Sequence, residues 1–71
     1  MRNVDTKALR RAMIDRDIHT IGQLEECSGI NRVSLGAFLS GERAPSYDSI
    51  VKLADTLELE SEDIGRIFFA S

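Results

Sequence analysis

The side chains able to do covalent or metal chemistry are few, and their spacing does not suit catalysis. One histidine, His19, and one cysteine, Cys27, exclude a Cys/His metal set and an internal disulfide. His19 reads as a turn residue and Cys27 as a small buried hydrophobe. No nucleophile–base pair and no phosphate-binding glycine loop is present, so an enzyme is not expected, and no cofactor is implied. Glu58, Glu60, Glu62 and Asp63 cluster near the end of the chain, but no Asp-x-Asp-x-Asp-Gly loop accompanies them. They read as cap and surface charges rather than calcium ligands.

What remains is charge on a small scaffold. The 71 residues carry 9 basic and 12 acidic side chains, a net charge of −3. Nucleic-acid binders of this size usually have the opposite balance, because phosphate contacts need lysine and arginine. The deficit is uneven. Residues 1–35 hold Arg2, Lys7, Arg10, Arg11, Arg16 and Arg32 against five acids, whereas residues 36–71 hold only Arg43, Lys52 and Arg66 against seven. Any DNA-facing surface must therefore come from the first half. Arg10, Arg11 and Arg16 read equally well as a solubilising face or as contacts to phosphate or acidic protein.

The elements that would position these groups are helical. With 42% apolar and 30% charged residues, the composition is that of a folded domain, and its length fits one domain over residues 1–71. The longest apolar run, Ile67 to Ala70, is far too short to span a membrane, and the chain does not open on a signal-peptide pattern. A reduced, cytoplasmic protein is expected. Asp5 or Thr6 predicts the cap of a first helix that buries Leu9, Ala12 and Met13 and ends near Asp17. Thr20 predicts the start of a second, with Ile21, Leu24 and Cys27 or Ser28 inward. Gly29 supplies a left-handed turn, Ile30 packs the turn, and Asn31 caps a third helix carrying Leu35, Phe38 and Leu39. Pro45 makes residues 42–45 a loop. Ser46 caps a fourth helix with Ile50, Leu53, Ala54 and Leu57 inward, and Ser61 a fifth that buries Ile64, Ile67 and Phe68. The fold class expected is all-α, with five helices and no strand.

Two short helices joined through Gly29 have the layout of a helix-turn-helix spanning about residues 20–40. The stretch from Thr20 through Leu24, Gly29, Ile30, Asn31 and Arg32 resembles the Cro/repressor class of helix-turn-helix proteins, the family of phage lambda repressor. The likeness continues through Leu35, through Gly41-Glu42-Arg43-Ala44-Pro45-Ser46, and through Ile50 to Leu57. It covers roughly Thr6 to Phe68. The resemblance implies a compact lambda-repressor-like domain whose third helix enters the major groove. It places Asn31, Arg32, Val33, Gly36, Ala37 and Ser40 on the DNA- or partner-binding face, with Arg43 in the loop that follows. Arg32 is the strong candidate there, able to contact guanine bidentately. A homodimer through the last helix is also implied, which would give Phe69 a partner in place of a frayed end.

The sequence departs from the family where DNA is read. Ile21 replaces a common glutamine, Glu25 replaces a small alanine where the two helices cross, and Leu39 replaces a late polar residue. Over residues 20–44 the bases Arg32 and Arg43 face Glu25, Glu26 and Glu42, a net charge of −1. Val33 and Ala37 form a stripe rotated away from Leu35, so a partly exposed apolar face is expected, while Leu39, four after Leu35, also suits the core. In length, acidity and altered motif the chain looks like the modulator-of-repression (antirepressor) proteins of temperate phages of Gram-positive hosts. This resemblance implies a regulator of the lysis/lysogeny switch that binds the DNA-binding domain of a phage CI-type repressor. The alternative is a Cro-like protein that binds operator DNA, alone or together with the repressor.

Overall fold

Helix starts in this chain are set by short polar side chains that accept hydrogen bonds from otherwise unpartnered backbone N–H groups. In the computed structural model, which describes residues 4–69, Asp5 accepts from the Ala8 amide at 3.1 Å and opens α1 (Thr6–Asp15). Thr20 accepts from the Gln23 amide at 3.0 Å and opens α2 (Ile21–Ser28). The Gln23 side chain returns the contact, accepting from the Thr20 amide at 3.1 Å, which completes a capping box. Asn31 accepts from the Ser34 amide at 2.9 Å at the start of α3 (Arg32–Ser40), and Ser46 from the Ser49 amide at 3.3 Å at the start of α4 (Tyr47–Leu57). The last helix is α5 (Ser61–Phe68). No strand occurs among the described residues.

Helix α1 ends at Asp15, near the expected limit, and Asp17 just beyond it takes a left-handed conformation with φ of 61°. Two local expectations need correction. The N-cap of α5 is Glu60 rather than Ser61. The Glu60 amide donates to the Asp63 side chain at 3.1 Å, so the cap contact is made backwards from the first turn. Cys27 is exposed and not a buried hydrophobe. Ser28 is the half-buried one of the pair, and its hydroxyl accepts from the Ile30 amide at 3.2 Å inside the turn.

Helices α2 and α3 meet through Gly29, whose φ of 78° is the left-handed value that a Cβ resists. Ile30 is buried beneath this turn. One core then joins all five helices: Leu9 and Met13 from α1, Leu24 from α2, Leu35, Phe38 and Leu39 from α3, Ile50, Leu53 and Leu57 from α4, and Ile67 and Phe68 from α5. Helix α3 packs on α1 and α2, α2 on α4, and α5 on α1 and α4. The Asp5 amide donates to the Ile67 carbonyl at 2.7 Å, which ties the start of α1 to α5. Leu35, Phe38 and Leu39 bury the inner face of α3 against its neighbouring helices and leave the opposite face at the surface.

Candidate helix-turn-helix interface

The exposed face of α3 is short of free polar groups. Val33 is 79% exposed, with an open hydrocarbon side chain one residue after Arg32. Gly36 and Ala37 are half-buried, and a Cβ built at Gly36 would meet no atom within 4 Å, so the middle of the helix is flat and uncrowded. Leu39 belongs to the core, at 3% exposure, which resolves the two readings of that residue in favour of packing.

The polar residues of the face are occupied by their own chain. The Asn31 side-chain oxygen caps α3. Ser40 donates its hydroxyl proton to the Ala37 carbonyl at 3.1 Å and accepts from the Glu42 amide at 3.3 Å, so it finishes the C-terminal turn. Arg43 donates to the Ser34 hydroxyl at 2.9 Å, and its guanidinium carbon stands 5.5 Å from the centre of the Phe38 ring. The structure thus places Arg32, Val33, Gly36, Ala37 and Ser40 on α3, sets Asn31 at its cap, and folds Arg43 back against the same helix.

Arg32 is held by Glu25. The Arg32 Nε donates to Glu25 Oε1 at 3.2 Å and the Arg32 backbone amide to Oε2 at 3.1 Å. The guanidinium lies back toward α2, where a Cβ on Gly22 would stand 3.4 Å from Arg32 Nη2. Glu25 is the residue of this face that spacing alone does not assign. The signal was present as an acidic side chain where the resembled family crosses helices closely, yet its partner depends on the angle across the Gly29 turn. Ser34 was missed for a similar reason, since it gains its role only from the return of Arg43.

The cations outside α3 are mostly engaged as well. Arg16 pairs with Glu58 at 2.7 Å, Lys52 with Asp48 at 3.3 Å, and Arg66 with Asp63. Arg10 donates to the Leu39 carbonyl at 3.1 Å. The exposed Lys7 and Arg11 on α1 have no ion pair among the described residues. No group of three or more His, Cys, Asp or Glu side chains is placed to hold a metal among the described residues, and no helix there is long and apolar enough to cross a membrane.

A model of the Cro/C1-type helix-turn-helix DNA-binding domain matches residues 8–67. The chain belongs to that family, whose members are DNA-binding transcription regulators. No curated protein and no solved structure matches it.

Proposed function

We propose that this Cro/C1-type domain is a cytoplasmic regulator of a phage lysis/lysogeny switch that modulates a CI-type repressor. It binds the basic DNA-reading domain of that repressor through its own α2–α3 face, using Val33, Gly36 and Ala37 as the apolar centre and acidic side chains as the fringe. The observation that carries this reading is the pairing of Arg32 with Glu25 beside a bare Val33. A face meant to grip a polyanion needs unpaired cations, because each neutralised phosphate contributes through released counterions. A face meant to cover a positive surface needs hydrocarbon and carboxylates, because charge complementarity sets partner choice and encounter rate.

Direct operator binding is the second reading, and one feature favours it. The Arg32 side chain remains 67% exposed, and its pair with Glu25 uses only the Nε edge. The two Nη groups are then able to meet a guanine end-on. Both activities coexist if the protein and the repressor share an operator. Phe69, 63% exposed beyond α5, is the natural contact for a homodimer through the last helix.

Co-elution with a CI-type repressor, with and without promoter DNA, tests the proposal. The native chain should form a complex with the repressor without DNA, and Val33→Asp or Ala37→Asp should break it while leaving helical content unchanged. A native chain that ignores the repressor, but shifts operator DNA by itself in a manner abolished by Arg32→Ala, would replace this reading with the Cro-like one.

A further inference from the structure

Glu25 places a carboxylate where a nucleic-acid phosphate would otherwise be welcome. It accepts from both the backbone amide and the side chain of Arg32, the first residue of α3. The leading N–H groups of a helix have no partner within it and carry a partial positive charge, so an anion is favoured there. Arg32 is the one cation in the sequence of α3. A single side chain therefore satisfies the charge of the helix start and the charge of its arginine together.

We propose that Glu25 sets the affinity of this domain for nucleic acid by acting as an intramolecular phosphate substitute. It cancels Arg32, removes the Nε edge from use, and so turns the α2–α3 face away from DNA backbone and toward a protein partner. The inference rests on the reading of that face given under the proposed function. Neutralising the carboxylate frees one cation for one phosphate, and an added phosphate contact steepens the fall of log K with log salt by about 0.9. Relief of simple repulsion would raise affinity without that change in slope, which makes the slope the decisive readout.

The test measures binding to a generic mixed-sequence duplex by fluorescence anisotropy over a range of salt. The native chain is compared with Glu25→Gln, Arg32→Ala and the double variant. Glutamine keeps the shape and one acceptor for the Arg32 amide, and circular dichroism checks that α3 persists. Glu25→Gln should tighten binding roughly fivefold near physiological salt and steepen the slope by about 0.9, and the double variant should return the slope to the native value. Arg32→Ala alone should leave the native slope unchanged. A native slope in Glu25→Gln, or the same steepening without Arg32, overturns the proposal. Should Glu25→Gln lose helical content, Arg32→Ala still decides: a shallower slope by about one phosphate means that Arg32 already engages DNA, and the idea fails. Repressor co-elution run alongside keeps the two readings apart, because its failure removes the protein partner without touching the salt cycle.

Discussion

Arg10 on α1 donates from Nη2 to the backbone carbonyl of Leu39 at 3.1 Å, across 29 residues of sequence. Helix α3 has no basic residue in its own last turn, so this arginine supplies the positive charge that its C-terminal carbonyls favour. The contact holds α3 against α1 from the side opposite the Gly29 turn. Arg10 thereby takes a structural part at the end of α3.

Replacing Arg10 with methionine should lower stability by about 1 kcal/mol, from the lost hydrogen bond and the lost cation at the helix end. Arg10→Lys should restore part of that loss. Urea unfolding of the three proteins checks the order, and an unchanged midpoint in Arg10→Met would show that the contact contributes nothing.

Leu24 immediately precedes Glu25 and Val33 immediately follows Arg32, yet the two should respond oppositely. Leu24 is fully buried, and truncation to alanine should cost about 2–5 kcal/mol, enough to unfold much of so small a protein. Val33→Asp should change stability by less than about 0.5 kcal/mol, as expected of a surface position. Thermal unfolding followed at the helical band separates the two. A large loss from Val33→Asp would place that side chain in the core and undo its part in the partner face.

Two glycines of the helix-turn-helix should also diverge. Gly36 sits inside α3 with open space where a Cβ would go, so Gly36→Ala should stabilise by about 0.5–1 kcal/mol. Gly29 has a φ of 78°, and alanine there should cost about 1–2 kcal/mol despite equally open surroundings. Calorimetric midpoints moving in the same direction for both variants would contradict this backbone argument. Weakened repressor binding in the more stable Gly36→Ala protein would further mark the flat middle of α3 as part of the interface.

The proposed complex with a repressor should loosen as salt rises, because its fringe would join carboxylates to cations, but far less steeply than a protein–DNA complex. Val33→Ala should weaken it at every salt concentration alike, since an apolar contact is not screened. Titration calorimetry at low and high salt gives both results. An affinity indifferent to salt would leave the acidic fringe without a role.

The helices and their limits were legible in the residues because their causes are local. Thr20 with Gln23, Asn31 with Ser34, and Ser46 with Ser49 each settle a helix start within one turn of chain. The spacing of Ile50, Leu53 and Leu57 gives the buried side of α4 for the same reason, as does that of Leu35, Phe38 and Leu39 in α3. Cys27 and Glu60 depart from expectation: Ser28 rather than Cys27 turns inward, and Asp63 reaches back to the Glu60 amide so that the cap falls one residue before Ser61.

The family resemblance sets the seven residues of the candidate face on one helix, its cap and its following loop, but does not give their state. Whether Arg32 is a free cation depends on how α2 crosses α3, because only that angle brings Glu25 within 3.2 Å of it. Likewise Arg43 meets Ser34 and the Phe38 ring only once the loop has folded back, and Arg10 finds Leu39 only when α1 has packed. Periodicity and capping act over a few residues and are written in the chain. Ion pairing acts through space over a few ångströms, so its outcome belongs to the packed structure.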